Sequence, residues 1–459
     1  MYRKTTTLRT KFPLLWVLLM PVLATGAAEH YKRLRSFSGP DGSKPYAKLT
    51  LASDGAFYGT TSAGGANNHG TLFKLTSDEQ YTVIWNFGAL PTDASSPWSE
   101  VVEGGDGALY GTTVSGGSST NGTVFKVNKD GSNFNILYSF PTGSPRPYAG
   151  LTDDKAGALY GTTSRYGPPF DNIYSLNQDG TGFRILYDQI PCNHEDFWPE
   201  APLIIGTDGG LYGTGNGGGA DSFHGMIFRL DRDTGTFTVL YSFPGQFTNY
   251  VGLKSALMEA SDGLLYGTIR DEGILFRIAK DGSNYAIIHR FGDQHDTSPG
   301  GQLVAGADES LYGVTGVRWG TGGGGGWDTI FKINKDGTGH TVLHRFGVAP
   351  DGSSPGSGLA RGFDGAFYGT TVLGGDSGQG TIYKLWPPQT PDVAVSNTNG
   401  TVQVTVTGRS GYNYELLTSA NLTNWSPLSN FVMPSSDTYV HTETNAPPEA
   451  RFYRAAWLP

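Results

Sequence analysis

The sequence predicts an all-β protein: a seven-bladed β-propeller closed by its N-terminal strand, followed by a small β-sandwich. Three observations support this prediction. Gly is abundant at 68 residues, aromatic side chains make up 12% and charged ones only 16%, which suits many short strands joined by tight turns. A Tyr-Gly motif recurs seven times, at intervals of about 50 residues. Each interval contains four short strand-like segments, which is the content of one propeller blade.

Residues 1–28 have the order of a secretory signal peptide. Basic residues from Arg3 to Lys11 precede an apolar run from Phe12 to Leu23, and small residues follow from Ala24 to Ala28. The apolar run is short for a membrane-spanning helix. We therefore expect cleavage within Ala24 to Ala28 and a mature chain that is secreted or at the cell surface, with no transmembrane segment. A retained N-terminal anchor is the alternative.

The repeat unit predicts a four-stranded meander. In the second unit, a turn at Asp106-Gly107 leads into a strand from Ala108 to Thr113, and a Gly-rich loop follows. Apolar and polar residues then alternate from Gly122 to Val127, and a second Asp-Gly turn precedes a fourth strand from Asn135 to Phe140. The motif begins in the seven units at Tyr58, Tyr110, Tyr160, Tyr212, Tyr266, Tyr312 and Tyr368. Because it is the same in every unit, we expect it to pack between blades.

The two ends of the repeat array predict how the ring closes. A fourth-strand motif, Leu-x-x-Phe or a close variant, also occurs seven times, and its first copy, Leu34 to Phe37, precedes the first Tyr-Gly motif. The last unit stops after its third strand, at Leu385. We infer that Tyr31 to Phe37 pairs with Gly380 to Leu385, so that residues 31–386 form a ring without an open edge.

A proline-rich segment, residues 387–391, predicts a linker between two domains. Beyond it, residues 392–459 contain six short strand-like segments separated by Asn, Gly and Pro turns, which favours a small β-sandwich. We expect Tyr414, Trp425 and Phe452 to form its core.

The repeats resemble the GloVer tandem-repeat family of secreted bacterial proteins, whose units carry Leu-Tyr-Gly-Thr-Thr, a Gly-Gly loop and Gly-Thr-x-Phe-Lys. The resemblance covers roughly residues 31 to 386. The tail is similar to a C-terminal module frequent in such proteins, through Tyr414 to Leu416, Asn421 to Trp425 and Arg451 to Arg454. The resemblance implies architecture and export, and it supplies no catalytic residues.

Several classes of function are disfavoured by the composition. The formal charge of −9, with no basic cluster beyond the N-terminus, argues against a nucleic-acid partner. The single cysteine, Cys192, rules out an intrachain disulfide and any zinc site that needs two thiolates. No nucleotide-binding or hydrolase motif occurs, so we predict neither a cofactor nor a metal, and no catalytic residue is assigned.

In a propeller, the connections between second and third strands and those that lead into the next first strand emerge on one face, which we call the long-loop face. Two segments predicted to lie on this face break the symmetry of the repeat. The first concentrates an imidazole, two carboxylates and an indole at His194, Glu195, Asp196 and Trp198. The second places Arg318, Trp319 and Trp327 around a five-glycine run. Imidazole and carboxylate groups bind cations, and indole rings stack on sugar faces, so these residues are a candidate ligand face. Surface loops without a ligand are the alternative.

The leading functional hypothesis is a non-enzymatic extracytoplasmic propeller that binds or scaffolds, with a glycan or a cell-surface protein as its partner. The alternative is a secreted carbohydrate-active enzyme, a polysaccharide hydrolase or lyase that uses carboxylates of the propeller channel. Glu100, Glu103, Glu200 and Glu259 lie near predicted first strands and are the carboxylates to consider. A passive surface-layer component is a third possibility.

Overall fold

A computed structural model of the chain describes residues 30–90, 92–164, 171–188, 198–218, 225–244, 252–292, 298–316, 328–347, 351–387, 391–398, 401–408, 413–421, 424–434, 436–444 and 451–458. Two compact units divide the chain, one spanning Tyr31–Trp386 and the other containing Pro387–Pro459. The predicted signal segment lies outside the described residues. Among the described residues every regular element is a strand, and there is no helix that could cross a membrane.

The first unit is built from short strands of two to seven residues. In chain order they are β1 (His30–Ser36), β2 (Thr50–Leu51), β3 (Phe57–Thr61), β4 (Thr71–Leu75), β5 (Tyr81–Asn86), β6 (Ala94–Ser95), β7 (Val102–Glu103), β8 (Leu109–Thr113), β9 (Ser115–Gly116), β10 (Thr123–Val127), β11 (Asn135–Ser139), β12 (Thr152–Asp153), β13 (Ala158–Thr163), β14 (Asn172–Asn177), β15 (Arg184–Asp188), β16 (Ile204–Ile205), β17 (Leu211–Gly215), β18 (Met226–Leu230), β19 (Phe237–Ser242), β20 (Met258–Glu259), β21 (Leu265–Ile269), β22 (Ile274–Ile278), β23 (Ala286–Arg290), β24 (Pro299–Ala305), β25 (Leu311–Thr315), β26 (Thr329–Ile333), β27 (Thr341–Arg345), β28 (Gly352–Ser353), β29 (Ala360–Arg361), β30 (Phe367–Thr371), β31 (Leu373–Gly374) and β32 (Thr381–Trp386).

Within the described part of this unit, the strands form seven four-stranded antiparallel sheets. Their orders are β2-β3-β4-β5 (sheet I), β7-β8-β10-β11 (sheet II), β12-β13-β14-β15 (sheet III), β16-β17-β18-β19 (sheet IV), β20-β21-β22-β23 (sheet V), β24-β25-β26-β27 (sheet VI) and β29-β30-β32-β1 (sheet VII). We call these positions the first to fourth strands of each sheet. The strands β6 and β9, and β28 and β31, pair as small accessory ribbons.

Sheet VII joins the two ends of the unit. Its first three strands come from the end of the unit, whereas its fourth strand, β1, comes from the beginning. The backbone N–H of Phe37 donates to the carbonyl of Gly380 at 2.9 Å. Because β1 satisfies the free edge of β32, no exposed edge is left there, which is the pairing predicted from the sequence.

Successive sheets also contact one another through their fourth strands. A side chain of each fourth strand packs against a ring next to or within the fourth strand of the following sheet. The pairs are Trp85 with Phe134, Tyr138 with Phe183, Tyr187 with Phe237, Tyr241 with Tyr285, His289 with His340, His344 with Tyr31, and Arg35 with Tyr81. The last two pairs link sheet VI to sheet VII and sheet VII to sheet I.

The second unit contains two three-stranded sheets. Their orders are β33-β34-β37 and β36-β35-β38, with β33 (Asp392–Thr398), β34 (Thr401–Thr407), β35 (Asn413–Ser419), β36 (Ser426–Val432), β37 (Thr438–Thr444) and β38 (Phe452–Leu458). Val404 of one sheet and Tyr414 of the other belong to one buried cluster. The expectation for Tyr414 is confirmed, since it is 1% exposed, but those for Trp425 and Phe452 are wrong. Alternation along β38 buries Tyr453 instead of Phe452. The Trp425 ring is only partly buried and lies beneath the Arg454 guanidinium.

Candidate functional site

The repeated Tyr-Gly-Thr motif is structural. In sheet II the buried Tyr110 hydroxyl donates to Asp106 of the preceding Asp-Gly turn at 2.8 Å, and Lys126 pairs with the same carboxylate at 2.7 Å. Burial raises the pKa of Tyr110 to about 12. The same Tyr-to-Asp hydrogen bond occurs in all seven units, at 2.7 to 3.5 Å. The Tyr110 hydroxyl also lies 3.4 Å from the Gln178 carbonyl of sheet III, so the motif contributes to contacts between sheets, as the sequence predicts.

The remaining motif residues also serve contacts within and between sheets. The Thr112 hydroxyl lies 2.9 Å from the Ala149 carbonyl, at the first-strand end of the next sheet. In the last sheet Thr370 makes the equivalent contact with the Ala47 carbonyl, at 3.2 Å. At Gly213 a Cβ atom would lie 2.4 Å from the Phe228 ring, so only glycine fits beneath that ring. These residues are buried and serve packing within the unit.

Two of the four candidate carboxylates are occupied by contacts between sheets. Glu103 of sheet II accepts from the backbone N–H and hydroxyl of Ser53 in sheet I, at 2.7 and 2.6 Å, and pairs with Lys129. Glu259 repeats this arrangement with Thr207 and Lys280, at 2.6 to 2.8 Å. These interactions outweigh burial and lower the pKa of both carboxylates, so they are ionised structural groups.

A cavity on the axis of the unit is bordered by residues of all seven sheets, taken from their first strands and the segments that precede them. The strand registers define equivalent positions in the seven sheets, because in each sheet one residue of the first strand pairs with the motif tyrosine. Four residues before that partner are Tyr46, Trp98, Tyr148, Glu200, Lys254, Gly300 and Gly356. We call these seven residues the upper ring. The repeat symmetry is broken here, since a ring of equivalent positions carries aromatic, charged and glycine residues.

Three consecutive sheets place aromatic side chains in the upper ring. The rings of Tyr46 and Trp98 lie 5.1 Å apart between centroids, and those of Trp98 and Tyr148 lie 6.1 Å apart in an edge-to-face arrangement. Trp98 is 40% exposed although it lies inside the cavity. An exposed indole in a concave surface is able to stack on a flat apolar face of a ligand.

The next two positions of the upper ring carry an ion pair. Lys254 Nζ lies 2.7 Å from the Glu200 carboxylate, and the Asn216 amide donates to the same carboxylate at 3.2 Å. Gly300 and Gly356 follow and carry no side chain. The upper ring is therefore aromatic on one side, charged next to it and open on the other.

A second set of equivalent positions lies two residues after the upper ring in each sheet. Three of these positions carry polar side chains, namely Lys48, Glu100 and Gln302. Lys48 Nζ donates to Gln302 Oε1 at 2.6 Å, and Gln302 Nε2 donates to the Leu257 carbonyl at 3.0 Å. Burial lowers the pKa of Lys48 and raises the pKa of Glu100. We call these three residues the channel floor.

A larger cavity of about 750 Å³ adjoins the upper ring. It shares Tyr148, Glu200 and Lys254 with the axial cavity, and Arg146 and Asp271 add a charge of each sign. The lining comes from connections between second and third strands and from those that lead into first strands, which emerge on one face. This is the long-loop face defined from the sequence.

Of the residues predicted to form a ligand face, Trp198 is described. It is 8% exposed, its backbone N–H donates to Asp171 at 2.6 Å, and it contributes to the lining of the larger cavity. The other six, His194, Glu195, Asp196, Arg318, Trp319 and Trp327, lie outside the described residues. Among the described residues no group of three His, Cys, Asp or Glu side chains is arranged to hold a metal ion.

The upper ring and the channel floor are missing from the sequence prediction, apart from Glu100 and Glu200. A signal for them does exist, because a proline precedes six of the seven upper-ring positions, at Pro45, Pro97, Pro147, Pro199, Pro299 and Pro355. Aligning the units on these prolines exposes a column that varies from unit to unit. The Tyr-Gly alignment contains the same column, because each upper-ring position lies twelve residues before the motif tyrosine of its unit.

The fold is similar to those of solved β-propellers. Streptogramin B lyase has a TM-score of 0.54 and 19% identity, over 78% of this chain and 97% of the lyase. A catalytically inactive variant of virginiamycin B lyase from Staphylococcus aureus, with quinupristin, has a TM-score of 0.54 and 16% identity, over 78% and 99%. The extracellular domain of the hybrid two-component system BT4673 from B. thetaiotaomicron has a TM-score of 0.53 and 13% identity, over 84% and 45%. At these identities the likeness shows the fold alone.

No curated protein matches the chain. The model of the Gloeobacter/Verrucomicrobia repeat matches it over residues 23–189, 170–320 and 269–421, which together span most of its length. The chain therefore belongs to the Gloeobacter/Verrucomicrobia repeat family, as its Tyr-Gly-Thr units predict.

Proposed function

We propose that Tyr31–Trp386 is a closed seven-bladed β-propeller that acts outside the cytoplasm as a non-enzymatic binding protein, with its ligand at the upper ring. The C-terminal unit is then a β-sandwich appended to it. The signal-like order of residues 1–28 and the extracellular origin of one similar structure support the location.

The observation that carries this proposal is the loss of symmetry at the upper ring. Residues that only pack sheets together are the same in every unit, as the Tyr-Gly-Thr contacts are. At the upper ring, by contrast, Tyr46, Trp98 and Tyr148 are followed by the Glu200 and Lys254 ion pair. A partly exposed indole in a cavity is unfavourable in water and becomes favourable when a ligand covers it.

Binding is tested with the purified protein on a glycan array and in protein pull-downs from the native envelope. Trp98→Ala is expected to weaken binding at least roughly tenfold, because it removes the stacking surface. Phe363→Ala is the control, since Phe363 is 79% exposed in the Asp-Gly turn at the opposite ends of the strands. The proposal is contradicted if the wild-type protein binds nothing in either assay, or if both variants lose the same amount of binding.

A secreted carbohydrate-active enzyme is the second candidate, and one observation favours it. Glu100 and Glu200 line the same axial cavity, whereas Glu103 and Glu259 are held in contacts between sheets. Cleavage of a polysaccharide panel that is abolished by Glu100→Gln or Glu200→Gln, and retained by Glu259→Gln, would favour this candidate. Stable envelope association without a soluble ligand would instead favour a surface-layer role.

A further inference from the structure

The channel floor contains a carboxylate to which no described side chain donates a hydrogen bond. This carboxylate, that of Glu100, accepts a hydrogen bond from the backbone N–H of Glu100 itself. Lys48 is near enough to interact electrostatically with this carboxylate, but it lies beyond ion-pair distance. In the sheets around it, Glu103 and Glu259 each accept several hydrogen bonds. A carboxylate has two oxygens that can each accept more than one hydrogen bond, so Glu100, with only its own backbone N–H as a described donor, keeps acceptor capacity for a ligand.

Lys48 faces the same space but is held in place. Its Nζ is tied to Gln302, whose amide is tied in turn to the Leu257 carbonyl. An ammonium group has three N–H donors, so two remain for another partner. The floor therefore presents fixed donors and an acceptor from two successive sheets in one narrow chamber of about 120 Å³.

The charges of the axial lining cancel. Two lysines, Lys48 and Lys254, face two glutamates, Glu100 and Glu200. A ligand with net charge gains attraction on one side and repulsion on the other, whereas hydroxyl groups both donate and accept. Above the floor, Trp98 offers a flat apolar face of the kind that covers the C–H face of a sugar ring.

We propose that the ligand is a neutral saccharide, with one ring stacked on Trp98 and neighbouring hydroxyls bridging Glu100 and Lys48. This inference rests on the proposed function and adds the chemical class of the ligand. Hydroxyl hydrogens donate to the Glu100 carboxylate, and hydroxyl oxygens accept from the two free N–H groups of Lys48. Glu100 and Lys48 are then specificity residues, while Trp98 supplies contact area.

The pH dependence of binding follows from Glu100. Since burial raises its pKa, protonation begins at a higher pH than for an exposed glutamate, and the protonated group loses acceptor capacity. Affinity is therefore expected to fall as the pH falls through the raised pKa. The other ionisable side chains of the lining, Tyr46, Tyr148, Lys48, Glu200 and Lys254, are unchanged in Glu100→Gln.

The test is titration calorimetry of the purified protein with neutral oligosaccharides of defined linkage, from pH 5 to 8. The variants are Glu100→Gln and Lys48→Met, and the matched control is Glu103→Gln, which lies three residues from Glu100 but outside the cavity. We expect at least one oligosaccharide to bind, Glu100→Gln and Lys48→Met to weaken it by about 10- to 100-fold, and Glu103→Gln to leave it unchanged. The pH step of the wild type should be absent in Glu100→Gln.

The failures of the two proposals are distinguishable. If an oligosaccharide binds with full dependence on Trp98 but Glu100→Gln and Lys48→Met bind like the wild type with its pH profile, the floor does not recognise the ligand and this inference is wrong. If no oligosaccharide binds but a protein does so through Trp98, the proposed function stands and the saccharide class is wrong. If neither binds, both proposals fall.

Discussion

Tyr31 and His344, at opposite ends of the first unit, stack with ring centroids 3.6 Å apart and an interplanar angle of 7°. Asp351 joins them, accepting from the Tyr31 hydroxyl at 2.5 Å and lying 3.0 Å from His344 Nε2. The same stacked position is filled by Phe134, Phe183, Phe237, Tyr285 and His340 in other sheets. In sheet VII this stacked position is therefore filled by Tyr31, from the first strand of the chain, whereas in the other sheets a residue of the sheet's own last hairpin fills it.

Tyr31→Ala should destabilise the first unit by about 2–4 kcal/mol, because it removes a half-buried ring and leaves Asp351 with one donor fewer. Thermal and urea unfolding measure the loss. Arg33→Ala is the control, since it removes a surface ion pair with Asp376 that is worth at most about 1 kcal/mol. An equal and small effect of both changes would show that β1 does not stabilise the closure.

The Tyr-to-Asp hydrogen bond differs in length between sheets, which allows a matched comparison. Tyr266 lies 2.7 Å from Asp262, whereas Tyr160 lies 3.5 Å from Asp154. Tyr266→Phe is expected to cost about 1–2 kcal/mol in the free energy of unfolding, and Tyr160→Phe less than half of that. Denaturant titration measures both, and a larger loss for Tyr160→Phe would contradict the structural role given to the motif.

Gly213→Ala should destabilise the protein by about 1–3 kcal/mol or more, since the new methyl would overlap the Phe228 ring. Gly292→Ala serves as the comparison, because nothing lies within 4 Å of a Cβ at that position. Melting temperatures of the two variants decide the matter. The motif glycine is dispensable if both variants melt with the wild type.

The closure should weaken in acid. Although burial acts in the opposite direction, hydrogen bonds from His344, Tyr31 and the Gly352 N–H hold the pKa of Asp351 below its usual value. A carboxylate whose pKa is lowered by folding stabilises the protein above its unfolded pKa of about 4, and this contribution is lost as the pH falls through the folded value. Unfolding curves from pH 7 to 2 should show a smaller loss for Asp351→Asn than for the wild type. Parallel curves for the two proteins would count against this contact.

The repeats made much of the fold predictable from sequence. Tyr-Gly, Asp-Gly and Leu-x-x-Phe each mark one strand or turn, and the early copy ending at Phe37 revealed the closure, because a fourth strand without a preceding unit needs a partner elsewhere. The candidate site was harder to predict from the sequence. Trp98 is far from Tyr46 and Lys48 in the chain, and these residues converge only because the sheets are arranged around an axis. The variable positions before each motif tyrosine therefore indicate a site only once that arrangement is known. The predicted core of the second unit was partly wrong, because neighbouring residues of β38 face opposite sides of the sheet and Tyr453, not Phe452, is buried.

The central claim, that a ligand is held at Trp98, is tested most directly by ¹⁹F NMR of the protein labelled with 5-fluorotryptophan. Trp98→Phe and Trp85→Phe assign two resonances, one from the upper ring and one from the stacked contact with Phe134. Addition of a binding oligosaccharide should shift the Trp98 resonance and leave that of Trp85 in place. A ligand that binds while the Trp98 resonance stays unchanged would contradict the account.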